Sequence, residues 1–368
     1  MRLGDLRTPC LVLDRHRLEQ NLARMAQALG RHGVPLRPHM KTAKSIDVAR
    51  LALRGQPGGI TVSTLAEARY FAEHGIADMI YAVGIAPQKL DEVAALNAAG
   101  ADVKVITDDP ATAGAVASHP GPVTALVEVD CGEHRSGMAP DHARLLEVAA
   151  RLGNRLAGVI THAGHSYADR YLDHLQATGE HERAAVVTAA ERLRAAGHEV
   201  GIVSMGSSPT ALHTQHLQGV TEVRAGVYMF GDLFQSEIFT HELEDIAVTV
   251  LATVIGLRQE DRSFLIDAGG LALSKDRSTQ AAPLDYGFGL VLAADGSQRH
   301  GRSIVRSAYQ EHGVVTCDPG LPFPMLRVGD RVRVAPNHVC MTAAAYDRYY
   351  VVAGSDRVEA EWGRVNGW

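Results

Sequence analysis

Residues 36–45 read Leu-Arg-Pro-His-Met-Lys-Thr-Ala-Lys-Ser and set Lys41 beside Arg37, His39 and Lys44, where a short extended run gives way to a helical pattern. A lysine ammonium crowded by other cations and partly withdrawn from water loses preference for its charged form, and its amine becomes a nucleophile toward a carbonyl carbon. Lys41 is therefore the candidate Schiff-base residue; a solvated basic turn capping a strand is the other reading of the same residues. A second group with chemical potential stands near the far end of the chain, in Pro336-Asn337-His338-Val339-Cys340. On a β-strand, positions i and i+2 share a face, so His338 and Cys340 are expected to converge on one divalent ion. Imidazole with thiolate suits zinc and similar metals, and two protein ligands leave positions open for catalysis. A core cysteine beside a surface histidine is the plainer alternative.

Two further turns carry phosphate-binding chemistry. Met205-Gly206-Ser207-Ser208-Pro209-Thr210 and Arg224-Ala225-Gly226-Val227-Tyr228 each follow a strand-like run, and backbone N–H groups, hydroxyls and a helix start in such turns can cradle a phosphate. An imine-forming lysine together with a phosphate cradle points to pyridoxal phosphate. The candidate cofactor contacts are Lys41, His39, Gly206, Ser207, Ser208, Thr210, Gly226 and Tyr228. Arg135, in segment 128–137, is placed to lie against the cofactor ring oxygen, with a helix-start salt bridge as its other role. His162 and His165 are the best-placed bases, and Tyr167 and His312 are candidate substrate contacts.

These residues need a scaffold, and the pattern supplies one. Strand-like runs at 36–38, 59–63, 79–82, 103–107, 123–129, 156–161, 200–204 and 222–225 alternate with amphipathic stretches such as 65–74, 89–99, 142–152 and 180–196. Eight strand–helix units imply parallel strands that close into a (β/α)₈ barrel of the TIM type, whose chemistry sits at the C-terminal strand ends. The polar clusters fall at those ends. Beyond about residue 241 the pattern turns to β runs at 246–257, 263–267, 314–317, 331–335 and 348–352, joined by turn-rich segments, with 271–291 as a long functional loop. The expected organisation is a first strand in 1–14 joining the β domain, a barrel over 15–240, and a mostly β domain over 241–368 that carries the metal ligands.

Composition narrows the function class. With 36 basic against 42 acidic side chains the formal charge is −6, which offers no basic surface for nucleic acid. No apolar run is long enough to span a membrane and the first residues lack a secretory segment, so a soluble cytoplasmic enzyme is expected. Four scattered cysteines, Cys10, Cys131, Cys317 and Cys340, are read as reduced thiols rather than a disulfide framework.

Taken in order, Lys41 in Arg-Pro-His-Met-Lys-Thr, the segment 130–137, His162-Ala-Gly-His, the loop 206–210, Arg224-Ala-Gly-Val-Tyr, Glu311-His312-Gly313 and Pro336-Asn-His-Val-Cys resemble the D-threonine aldolase and D-serine dehydratase-like enzymes. These are fold-type III pyridoxal-phosphate proteins related in architecture to alanine racemase, and the resemblance covers nearly the whole chain. It implies that Lys41 bears the cofactor, that His338 and Cys340 bind a divalent metal (Zn, Mn, Mg or Co), and that the metal meets the β-hydroxyl of a D-3-hydroxy amino acid. It also implies a homodimer. The His-x-Cys pair is similar to the dehydratase branch, whereas Thr61-Val-Ser-Thr-Leu-Ala-Glu-Ala and Ala225-Gly-Val-Tyr-Met-Phe-Gly-Asp are similar to the aldolase branch. The leading expectation is a D-threonine aldolase cleaving its substrate to glycine and an aldehyde. The alternative is a D-serine or D-threo-3-hydroxyaspartate dehydratase, which removes water and releases a keto acid and ammonia. An amino-acid racemase has no use for a metal on a hydroxyl, and a non-catalytic pyridoxal-phosphate carrier has no use for the second domain.

Overall fold

The eight strand-like runs become eight parallel strands in a computed structural model that describes residues 1–368. A first strand, β1 (Cys10–Asp14), precedes them; they are β2 (Leu36–Pro38), β3 (Ile60–Val62), β4 (Asp78–Gly84), β5 (Asp102–Thr107), β6 (Thr124–Val129), β7 (Leu156–Thr161), β8 (Ile202–Met205) and β9 (Glu222–Ala225). Their order is β2-β9-β8-β7-β6-β5-β4-β3. A bridge between His39 and Thr61, followed by the Met40 N–H donating to the Thr61 carbonyl at 2.8 Å, closes β2 onto β3. The (β/α)₈ barrel is thus complete, and its closing contact lies two residues before Lys41. The barrel unit comprises Ala23–Gly226 with Val365–Trp368.

Parallel strands covered on both faces need continuous apolar runs, and β6 supplies one, with five of its six residues buried. Ile80, Ile106, Leu126 and Ile160 pack as one cluster, each side chain contributing about 2 kcal/mol by leaving water. Helix starts are set by local chemistry: Thr64 accepts the Glu67 N–H, and Asp109 accepts the Thr112 N–H ahead of Pro110. The helix expected at 180–196 instead runs over Leu172–Ala195. Its true start carries no capping side chain at Tyr171, so the sequence offers no signal there.

The second unit, Met1–Leu22 with Val227–Arg364, is built on antiparallel pairing. Its further strands are β10 (Val248–Arg258), β11 (Ser263–Ile266), β12 (Leu290–Ala293), β13 (Ile304–Ala308), β14 (Gly313–Thr316), β15 (Arg331–Ala335), β16 (Arg348–Val352) and β17 (Ala360–Gly363). The order is β11-β14-β13-β12-β15-β10-β1-β16-β17, and an added β10–β11 pairing closes the first six into a ring. β12, β13 and β17 are absent from the sequence reading, being short runs among Gly- and Asp-rich turns.

The division between units falls at Val227 rather than at residue 241. Leu233 packs with Ile246, Tyr286, Leu290, Leu292 and Ala335, which draws 227–240 into the β unit. Residues 15–22 go with it as well, because the Asn21 amide donates to the Met229 and Asp245 carbonyls and Arg17 donates to the Ile246 carbonyl. No helix is long and apolar enough to cross a membrane.

Candidate active site

The cationic turn around Lys41 is dismantled by the fold. Arg37 donates to Glu222 at 2.8 Å and to Asp78 at 2.9 Å, so its charge is spent across the N-terminal end of the barrel. Lys44 pairs with the fully buried Glu67 at 2.9 Å. Lys41 is left exposed just past the C-terminal end of β2, and burial first, then the charges of Lys41 and Arg224, hold the nearby His39 imidazole well below its ordinary pKa. The Lys41 N–H donates to His39 Nδ1 at 3.4 Å. His39 is therefore a neutral ring beside the amine, not a competing cation.

His162, at the end of β7, is depressed from 6.5 to about 3 by burial first and then by the charges of Lys41, Arg224 and Arg135. Its Nδ1–H donates to the Gly206 carbonyl at 2.8 Å, which fixes the tautomer and leaves Nε2 a bare acceptor. With Nδ1–H committed to Gly206, Nε2 is the only nitrogen of this ring able to accept a proton from a ligand. The depression also has a stability consequence. Between pH 6.5 and 3 the unfolded chain binds a proton that the native ring refuses, so stability falls with pH by about 2 kcal/mol at pH 5 for the cofactor-free protein. His39 adds in the same direction. Urea midpoints at pH 7.5 and 5 are expected to show that loss, and His162→Asn is expected to reduce it.

His165 is the other candidate base. It lies on the short turn Gly164–Ala168 with Nδ1 at 3.8 Å from Glu133. Tyr167 shares that turn, its ring centroid 6.5 Å from that of His162. Arg135 is exposed and forms no helix-start salt bridge; its charge reaches His162 and Glu128 without a direct bond.

The phosphate loop is partly different from expectation. Gly206 has φ +139°, and a Cβ there would fall 2.1 Å from the Arg224 carbonyl, so only glycine allows β8 and β9 to approach this closely. Its N–H, however, donates to Glu182 at 2.9 Å and is not offered to a ligand. Thr210 is likewise engaged internally, its N–H on Ser207 Oγ and its hydroxyl on Glu182. Gly226 is equally confined, a Cβ falling 2.9 Å from the His39 carbonyl.

The sequence reading includes Arg224 in its second phosphate turn but gives the side chain no role. It is buried on β9, donates through both terminal nitrogens to the Thr161 carbonyl, and keeps an Nε–H with no hydrogen-bond partner. Burial lowers its pKa, opposed by Glu222, Glu182 and Glu128. Only the alternation Glu222-Val-Arg224 along an inward-facing strand could have marked it.

In the β unit, His338 and Cys340 are not on a strand. β15 ends at Ala335, His338 is the extended residue before the short helix Val339–Ala343, and Cys340 lies in its first turn. The helix starts there because the buried Asp232 accepts the Val339 N–H at 2.9 Å while its other oxygen caps Gln235 at 2.8 Å. The pair still converges, since His338 hydrogen-bonds Cys340 and sits 3.4 Å from Asp276 through Nδ1. Burial disfavours the charged imidazole, yet those bonds and the charges of Cys340 and Asp232 push it up to about 11, and Asp276 is held near 2 by the same contact.

Asp276 belongs to the 271–291 loop. Lys275 and Arg277 both lie over the Phe288 ring, at 5.3 and 5.0 Å, and the Asn337 amide donates to the Asp276 and Gly287 carbonyls. The carboxylate between them is thereby held toward His338. No cluster of three or more His, Cys, Asp or Glu side chains is placed to enclose an ion. Tyr228 is buried in the turn Val227–Met229, its phenol raised by burial, and His312 is exposed in the 309–312 turn with its carbonyl accepting the Tyr309 N–H.

Residues 13–233 match the family described as alanine racemase, N-terminal domain, and residues 247–352 match the putative serine dehydratase domain. The chain is 42% identical to D-threo-3-hydroxyaspartate dehydratase of Delftia sp. (strain HT23), covering 100% of this chain and 99% of that one, and 30% identical to D-threonine aldolase of Arthrobacter sp., covering 95% and 90%. The chain belongs to the D-serine dehydratase and D-threonine aldolase family. It is accordingly a fold-type III pyridoxal-phosphate protein of the lyase class. The solved Delftia dehydratase superposes with a TM-score of 0.95 at 41% identity over the whole of both chains. Structures of that enzyme include alanine variants of a histidine and of a cysteine two positions later, the cysteine variant in a metal-free form.

The residues of this chain fit the family's cofactor. The exposed Lys41 amine, the His162 ring, the unpartnered buried Nε–H of Arg224 and two glycines pressed against backbone all stand at the C-terminal ends of the barrel strands or on the last of them. The His338–Cys340 pair fits a divalent metal by its chemistry, an imidazole nitrogen and a thiolate sulfur two residues apart with the Asp276 carboxylate 3.4 Å from His338 Nδ1.

Proposed function

We propose that this protein is a pyridoxal-phosphate- and divalent-metal-dependent dehydratase of D-3-hydroxy amino acids, with D-threo-3-hydroxyaspartate as the best candidate substrate. The sequence reading leads with the aldolase; the whole-length likeness to the Delftia dehydratase, against 30% identity to the aldolase, favours the other branch. The observation that carries the reading is the pairing of His338 with Cys340 at the helix start, the same residue types at the same spacing as in the metal-linked variants of that relative.

When bound, the cofactor supplies electron withdrawal at Cα and the metal supplies polarisation of a β-hydroxyl. The chain's own part is to position and to move protons. The Lys41 amine would hold the cofactor and take the α-proton; the unpartnered Arg224 Nε–H would be available to donate to it, and the His162 ring, with Nδ1–H committed to Gly206, would present only Nε2. His338 and Cys340 would hold the metal, with Asp276, 3.4 Å from His338 Nδ1, fixing the imidazole. Loss of the Cα proton and the Cβ hydroxyl yields water and, after hydrolysis, an oxo acid and ammonia. In the aldolase alternative a base such as His165 takes the hydroxyl proton instead, and the Cα–Cβ bond breaks.

Incubation with D-threo-3-hydroxyaspartate, D-serine and D-threonine separates the two. Oxaloacetate, pyruvate and 2-oxobutanoate with ammonia are the expected products. Glycine with glyoxylate or acetaldehyde as the main products would return the aldolase to first place.

A further inference from the structure

Beneath the 206–210 loop lies a carboxylate that the reaction itself does not use. Glu182 occupies the buried face of the helix Leu172–Ala195 and is fully enclosed. Its Oε1 accepts the N–H groups of Ala163 and Gly206, both at 2.9 Å, and its Oε2 accepts the Thr210 hydroxyl at 2.6 Å. One side chain thus ties the segment after β7 to the segment after β8. The Thr210 hydroxyl oxygen in turn accepts the Ser207 N–H at 3.1 Å, and Ser207 Oγ lies 2.9 Å from Ser166 Oγ. The Gly206 carbonyl accepts from His162 Nδ1, so a shift of Gly206 moves the His162 ring as well.

Enclosing a carboxylate is costly unless its bonds return the loss, and burial raises the proton affinity of this one. The same helix face elsewhere carries Leu175, Ala185, Val186 and Ala189, any of which would seal it without that cost. What an aliphatic residue cannot do is accept two loop N–H groups and a hydroxyl at once. Arg224 offsets part of the charge.

We propose that Glu182 is a positioning residue for the phosphate end of the cofactor, holding the Gly206–Thr210 loop and the His162 segment in the one arrangement that receives a phosphorylated aldehyde. The proposal rests on the pyridoxal-phosphate reading of the barrel end. Its signature is selective: the phosphate contributes to binding only if the loop is held, while the aldehyde meets Lys41 regardless, so the phosphorylated ligand loses more than the unphosphorylated one.

The test titrates full-length, cofactor-free protein with pyridoxal phosphate and with pyridoxal, following absorbance. Glu182→Ala is expected to weaken pyridoxal phosphate by about tenfold or more and to weaken pyridoxal by clearly less. Glu182→Gln, whose amide oxygen still accepts the two N–H groups, is expected to restore most of the difference. Equal losses for both ligands would assign Glu182 a merely structural role and overturn the proposal, as would an unchanged pyridoxal phosphate affinity. Should Glu182→Ala fail to fold, Thr210→Val removes the held hydroxyl at matched shape and is read by the same ratio. Wild-type protein that takes up no pyridoxal phosphate would overturn the reading of the site itself, an outcome distinct from any behaviour of the variants.

Discussion

Lys41→Ala is expected to abolish both the imine absorbance on addition of pyridoxal phosphate and the formation of oxo acid, the latter by at least about 10³-fold, or roughly 4 kcal/mol of barrier. The argument is one of position and company. Lys41 follows the strand whose end closes the barrel, its side chain is exposed, and its charge is felt by both His39 and His162. Lys44 supplies the control. Its ammonium is bound to Glu67 at 2.9 Å, so Lys44→Ala is expected to keep the imine, with any loss appearing as lower stability because Glu67 is left buried and unpaired. An imine retained in Lys41→Ala would remove Lys41 from its role and with it the reading of the barrel end.

Cys340→Ala is expected to release the metal while leaving the cofactor spectrum intact, because the donor pair and the amine reside on different units. With His338 alone remaining, affinity for the ion is expected to fall by more than about 100-fold, and Asp276→Asn, which weakens the contact that orients His338 while keeping an oxygen for Ser278, by about 10- to 100-fold. Metal content after gel filtration, measured beside oxo-acid formation, checks both. The ordering carries the information: a Cys340→Ala protein that retains its metal yet loses activity would show that the thiolate is not a ligand.

Much of this was legible in residue order. The eight alternations that build the barrel, the lysine at the end of the first barrel strand, the glycine at 206 and the His-x-Cys spacing are all local features, readable from periodicity and turn chemistry. The strand assumed for residues 336–340 was not correct, because nothing near Val339 in sequence discloses that Asp232, 107 residues away, accepts its N–H and starts a helix there. The donors met all the same, since a residue before a helix and one in its first turn can also face one point.

The charge reading failed for the same reason. Arg37, His39 and Lys44 were judged as neighbours of Lys41 by their order in the chain, but the partner that removes Arg37 stands 185 residues on, at Glu222. Glu182 was invisible as a site residue, and the Arg224 side chain had no assigned role, because a buried charge declares itself only through what surrounds it. What the sequence by itself determined, then, was the architecture and which residues are candidates for the reaction, because strand period, glycine freedom and the nucleophilicity of an amine belong to single residues and their near neighbours. Which cations are neutralised, which histidine keeps its proton, and which carboxylate holds a loop were decided by tertiary structure alone, since each depends on burial and on partners that only closure of the chain brings within reach.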